Sequence, residues 1–207
     1  MANSSAKKFF STSLLFLTVI LLSCDAQKTT DPAPEAPRPD SLSKETVNAI
    51  TRFLRDHPAM NQQTVFLINM RLPANQYRFF VYDLAKQQIT ARGLVAQGIN
   101  TRPDTRGRLR FSNEHGSNCS SLGKYRIGQK YKGKFGTAYK LHGLDKTNSN
   151  AYARAIVLHK YDDMPNNPAD GDVYYSLGCP MVSPKFFTHL TGIIDAADKP
   201  IILQIVY

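Results

Sequence analysis

Residues 154–183 read RAIVLHKYDDMPNNPADGDVYYSLGCPMVS. The first eight, RAIVLHKY (154–161), are apolar and partly β-branched, the pattern of a strand, with His159 near its end. A polar loop with Pro165, Pro168 and Gly171 follows. SLGCPMVS (176–183) then sets Cys179 between Gly178 and Pro180, a tight bend. Sixteen residues separate His159 from Ser176. A thiol is a poor nucleophile until ionised, and a neighbouring imidazole can ionise it. A carbonyl under attack also needs donors for its developing oxyanion, which backbone N–H groups can supply. Gly178 lets the chain approach a substrate without a side chain in the way.

Downstream, Ser183 is a helix cap, Pro184 suits the first helical position, and Phe186, Phe187, Leu190, Ile193 and Ile194 make one apolar stripe. Lys199-Pro200 ends that helix and IILQIVY (201–207) reads as a strand. Upstream lie two more strands, KYRIGQKY (124–131) and AYKLHGL (138–144), with a polar turn from Asp145 to Asn150. Residues 99–118 are polar and carry Arg102, Arg106, Arg108 and Arg110; a loop of this length is often functional, and arginine clamps carboxylates. VFLINMR (65–71), YRFFVYDL (77–84) and Ile89 to Val95 predict an antiparallel meander ending at Gly98. Before it, Ser43 caps a helix with Glu45 in its first turn and Val47, Ile50, Phe53 and Leu54 on one face; Pro58 stops it. The expected class is mainly β with a few helices, a β-sandwich or open barrel.

The N-terminus reads differently. Lys7 and Lys8 precede an apolar run from Phe9 to Leu22, fourteen residues and so short of the roughly 20 that span a bilayer. This is the pattern of an export signal. Leu21-Leu22-Ser23-Cys24 resembles the bacterial lipobox, which implies lipidation at Cys24 and a lipid-anchored protein of the cell envelope or periplasm. The organisation expected is a signal over 1–23, a lipidated Cys and Pro-rich tether over 24–41, a helix within 42–61 and a catalytic domain over 62–207. Removal of 1–23 takes away two lysines and no acids, so the formal charge goes from +10 to +8. An exported basic protein meets anionic lipid and wall polymers; nucleic acid is not an expected partner.

Cys119 and Cys179 remain beside Cys24. A disulfide between them is the rival to a catalytic thiol. A zinc site seeded by His115 and Cys119 with His142 or His159 lacks a close Cys-x-x-Cys pair, so no metal is expected. His142 ends a strand and is a candidate lining residue, as is Tyr175. The run Lys124, Tyr125, Arg126, Lys130, Tyr131, Lys132, Lys134 and Phe135 is either a glycan or carboxylate platform or one strand with a solvated face.

His159, sixteen residues, then Ser176-x-Gly178-Cys179 resembles the signature of L,D-transpeptidases, the YkuD-like fold. SSLGKYRI (120–127) resembles that family's small–x–Gly–x–aromatic–x–Ile strand, and GLDKTNSNAYARAIVLH (143–159) resembles the exported branch with a Ser-x-Gly-Cys-Pro turn. The likeness covers roughly 62–207. It implies a peptidoglycan enzyme with no cofactor. Cys179 would attack the carbonyl joining the third stem residue to a terminal D-alanine, and His159 would take and return the proton. Gly178 and Cys179 amides would hold the oxyanion, with Ser176 shaping the turn or touching substrate. The acyl group would pass to an amine, giving a 3-3 cross-link, or to water. Leu177 stands where many members carry a second His, Met181 where they carry Asn or Arg, and Tyr175 where an Arg often precedes the Ser. These departures keep an alternative in view, a non-catalytic peptidoglycan-binding lipoprotein with the same fold.

Overall fold

The computed structural model describes residues 42–168 and 174–207. The signal, Cys24 and the tether lie outside them, as does Gly171 of the polar loop. Two helices and ten strands are present among the described residues: α1 Lys44–Asp56, β1 Thr64–Asn69, β2 Phe79–Asp83, β3 Gln88–Gly93, β4 Gln97–Gly98, β5 Gly123–Gly133, β6 Gly136–Gly143, β7 Val157–Lys160, β8 Tyr175–Ser176, β9 Met181–Val182, α2 Pro184–Asp195 and β10 Ile202–Val206. Eight strands form one sheet in the order β3-β2-β1-β10-β5-β6-β7-β9, and β4 pairs with β8. The mainly β expectation holds.

The long apolar runs have a direct cause. Alternate residues of β1, β2 and β10 enter two different cores. Phe66, Ile68, Phe79, Val81, Leu203 and Ile205 face the larger one, into which α2 sends Phe187 and Leu190. Val65, Leu67, Phe80, Tyr82 and Ile202 face the smaller one, closed by Ile50 and Leu54 of α1. A strand buried on both faces shows no polar alternation, and each such side chain contributes roughly 1.5–3 kcal/mol when fully buried. Both helices start as the sequence indicates: the Ser43 side chain accepts from the Thr46 amide, and that of Ser183 from the Phe186 amide.

The meander β1-β2-β3 is antiparallel throughout, while β10 joins β1 in parallel. Beyond β3 the chain crosses to the far edge of the sheet. The Ala96 amide donates to the Met181 carbonyl at 2.8 Å, and β4 then runs parallel to β8. The sheet therefore curls back toward β9 without closing into a barrel among the described residues. This curl brings Gln97 and Gly98 beside Tyr175 and Ser176, directly before the Gly-Cys-Pro bend.

One strand is shorter than its sequence suggests. β7 begins at Val157, and residues 151–155 are turns. Ala155 sits at φ 56, in the left-handed region unfavourable to a residue with a Cβ. The turn expected over Asp145–Asn150 thus continues to Ala155, because Arg154 is drawn away from the sheet by the bonds described next.

Candidate active site

Cys179 lies in the bend between β8 and β9, beside β7. The bend is built by Ser176, whose hydroxyl donates to the Cys179 carbonyl at 2.6 Å and accepts from the Gly178 amide at 3.1 Å. Of the two roles open to Ser176, it performs the shaping one. The same bond distinguishes the two amides of the bend. The Gly178 N–H is already engaged by Ser176, whereas the Cys179 N–H has no hydrogen-bond partner among the described residues. Of the two amides, that of Cys179 is the one with a free N–H among the described residues. Gly178 has a different duty. Its φ of +118 is open to glycine and strained for other residues, and a Cβ there would meet the Cys119 carbonyl oxygen at 2.8 Å.

The thiol is half-buried. The Val157 amide donates to Sγ at 3.4 Å, and the thiol approaches the Ala155 carbonyl at 3.8 Å. Burial pushes the thiol up from its ordinary value, while the Val157 N–H and then the Arg154 cation work in the opposite direction by favouring the thiolate. The group is therefore a neutral thiol, which would need a base to act as a nucleophile.

His159 sits two residues beyond Val157 on β7, roughly 6.6 Å along a strand. It pairs with Met181, the second residue after Cys179, in a parallel register. Its side chain is buried. Its ring stacks on Phe135 with centroids 5.1 Å apart, and Nδ1 lies 2.8 Å from the Lys160 carbonyl. A carbonyl only accepts, so Nδ1 carries the proton and Nε2 keeps its lone pair for a proton from elsewhere. Burial holds the imidazole below the usual histidine range, opposed by the Lys160 bond. A neutral, oriented imidazole is the state a general base requires. No hydrogen bond joins this ring to Cys179 among the described residues. The structure therefore brings the two onto neighbouring segments without linking them.

Arg154 was not singled out by the sequence. It is half-buried and fixes the loop next to the bend. Its Nη1 donates to the Ser112 carbonyl at 2.9 Å and the Ser121 hydroxyl at 3.3 Å, and Nη2 to the Cys119 carbonyl at 2.6 Å and the Ser117 hydroxyl at 3.3 Å. The Cys119 carbonyl it holds is the one that abuts Gly178. In sequence an arginine beside a strand looks like any surface cation. We expect Arg154→Gln to move the pH inflection of Cys179 alkylation by iodoacetamide upward, since an attraction that favours the thiolate is lost. Arg154→Lys should restore part of the shift. An unchanged inflection in the glutamine variant would rule out this electrostatic role.

The remaining candidates separate. Tyr175 is partly exposed, carries Arg102 over its ring at 4.8 Å and lines a cleft of about 270 Å³. His142 shares a face of β6 with Ala138, the partner of His159, but four residues along, roughly 13 Å. It stacks on Tyr152 at 4.8 Å and makes no hydrogen bond to His159 or Cys179 among the described residues. Cys119 and Cys179 are both free thiols, and Cys119 is sealed in the interior. No three His, Cys, Asp or Glu side chains are grouped as metal ligands among the described residues. The aromatic and basic run divides: Tyr125 is core, Lys130 pairs with Asp195 at 2.5 Å, Lys140 covers the Tyr131 ring, and Phe135 covers His159.

A family model described as the L,D-transpeptidase catalytic domain matches residues 39–202. No curated protein matches the chain. Among solved structures, the Ldtfm-avibactam carbamoyl enzyme has 15% identity and a TM-score of 0.45, over 73% of this chain and 51% of that one. The helical cell shape determining protein Pgp2 from Campylobacter jejuni has 14% identity and a TM-score of 0.45, over 69% and 47%. Mycobacterium tuberculosis L,D-transpeptidase 1 has 12% identity and a TM-score of 0.38, over 70% and 62%. The matched region spans about half the length of the first two. With the family model covering most of its length, the chain belongs to the L,D-transpeptidase catalytic domain family.

Proposed function

We propose that the protein is a peptidoglycan L,D-transpeptidase that uses Cys179 as nucleophile and His159 as base. The observation that carries this reading is the bend at Gly178-Cys179-Pro180. It leaves the Cys179 amide without a partner among the described residues and sets the half-buried thiol against β7, the strand that bears an imidazole with Nε2 unprotonated.

In this reading the sulfur attacks the carbonyl between the third stem residue and the terminal D-alanine. The thiol proton passes to Nε2 of His159, and the oxyanion is received by the Cys179 N–H. Collapse of the adduct breaks the C–N bond, and the imidazolium returns its proton to the departing amine. A thioester remains. An amine on a second stem attacks it, giving its proton to His159 and then the sulfur, and a 3-3 cross-link results; water in place of the amine gives a carboxypeptidase. Hydrogen bonds absent from a resting site often form only once substrate is bound. Cys24 would carry the lipid, and 25–41 would tether the domain to an envelope membrane.

A second reading, a wall-binding lipoprotein without turnover, is favoured by one observation: the polar contacts of the sulfur are to backbone and not to the imidazole. Incubation of the purified domain with disaccharide-tetrapeptides separates the two. The enzyme releases D-alanine and accumulates tripeptides or 3-3 dimers, whereas intact tetrapeptides at the end of the incubation would establish the binder.

A further inference from the structure

Arg78 is the largest side chain buried to below 2% exposure, and no carboxylate accompanies it. Nε and Nη2 donate to the Val95 carbonyl at 3.1 and 2.7 Å, and Nη1 donates to the Leu72 carbonyl at 3.3 Å and to Gln97 Oε1 at 2.9 Å. All of these acceptors are uncharged. A guanidinium has five N–H groups, and the fifth, on Nη2, has no partner among the described residues. Burial lowers the pKa to about 10, so the group is still a cation at neutral pH. An ion removed from water without a counter-ion is costly, by several kcal/mol even after relaxation. Four neutral hydrogen bonds reduce that cost and leave the charge in place.

Arg78 lies against the 270 Å³ cleft, its charge just behind the surface; the cleft is also lined by Arg71, Gln97, Leu109, Tyr175 and Tyr207. No Asp or Glu lines it. Arg71 is exposed, and Arg102 lies over Tyr175. Arg108 on the same loop is not part of this field, because Asp104 binds it at 3.0 Å. The cleft is also tied to the nucleophile. Gln97 and Gly98 pair with Tyr175 and Ser176, and Ser176 grips the Cys179 carbonyl. A cleft with a buried guanidinium behind its wall, Arg71 on its wall, Arg102 over Tyr175 beside it and no acid lining it suits an anion, and a planar carboxylate matches the guanidinium fork.

We propose that the cleft between the Met70–Ala74 turn and the 103–109 loop is a carboxylate subsite, holding a carboxylate of the peptide that reacts at Cys179. The proposal rests on the transpeptidase reading for the identity of that peptide. Arg71 and Arg102 draw the carboxylate in, and the charge of Arg78 holds it against the Tyr175 wall.

The test is calorimetric titration of the Cys179→Ala protein, which binds without turnover. The probe is the peptide L-Ala-γ-D-Glu-meso-diaminopimelyl-D-Ala, as the free acid and with its carboxyls amidated. The free acid should bind about 10-fold more tightly than the amide, and it should shift the backbone NMR signals of Leu72, Gln97 and Tyr175. Arg71→Gln with Arg102→Gln, both exposed and so compatible with folding, should reduce the preference at least about 3-fold and leave the amide's affinity unchanged. Arg78→Lys should also reduce it if that variant folds. Equal affinity for acid and amide, no measurable binding of the acid, or a preference untouched by the double variant would overturn the proposal. Because the readout is binding, it fails or succeeds independently of D-alanine release by wild type. A preserved preference without release would count against the transpeptidase reading alone.

Discussion

Cys179→Ala should lower D-alanine release from a tetrapeptide donor by at least about 10⁴-fold, since the Ser176 hydroxyl is engaged within the bend and the Cys119 thiol is sealed in the interior. The fold should survive. The thiol is half-buried and makes only long polar contacts, to the Val157 amide and the Ala155 carbonyl. Its loss should therefore change stability by about 1 kcal/mol or less. Chromatographic quantification of released D-alanine, beside a thermal melt, reads both quantities. Residual release within about 10-fold of wild type would exclude Cys179 as the nucleophile.

Gly178→Ala should also be damaging, to a smaller degree and for a different reason. At φ +118 an L-residue is strained, by about 1–3 kcal/mol. The new methyl would also meet the Cys119 oxygen at 2.8 Å, Ile156 Cδ1 at 3.1 Å and Arg154 Nη2 at 3.2 Å. The Cys119 carbonyl cannot simply retreat, because Arg154 grips it at 2.6 Å. The bend must move instead, and with it the sulfur and the Cys179 amide. A displacement of about 1 Å at reacting atoms costs on the order of 10²-fold, so D-alanine release should fall about 10²-fold or more, with a lowered melting temperature. Wild-type activity together with wild-type stability would show that the bend is not held as described.

Much of this was legible in the chain itself. Residues buried on both faces of β1, β2 and β10 leave unbroken apolar runs, and Ser43, Ser183 and Pro184 mark helix starts with short-range chemistry. The Ser-x-Gly-Cys-Pro spacing gave the bend, because the hydroxyl–amide bond and the positive φ are both local. What escaped notice depends on long-range contact. β4, β8 and β9 are two residues each, too short to show a period. Arg78 and Arg154 look like surface cations until the fold surrounds them. Phe135, at the tip of the β5–β6 hairpin, meets His159 only because the strands pair in one register. The unequal bonding of the two bend amides was hidden for a similar reason. Sequence offers the amides of Gly178 and Cys179 alike, and only the geometry shows the first already bonded to Ser176.

Intact-protein mass spectrometry after mixing the domain with a carbapenem reads the encounter between His159 and Cys179 itself. Wild type should gain one β-lactam mass on Cys179. The rate should fall as pH drops through the imidazole's pKa, since the neutral ring is the base and burial holds that pKa below the usual histidine range. His159→Gln should be acylated at least about 10²-fold more slowly. Equal rates in the two proteins, with a pH dependence that follows the thiol alone, would contradict His159 as the base that activates Cys179.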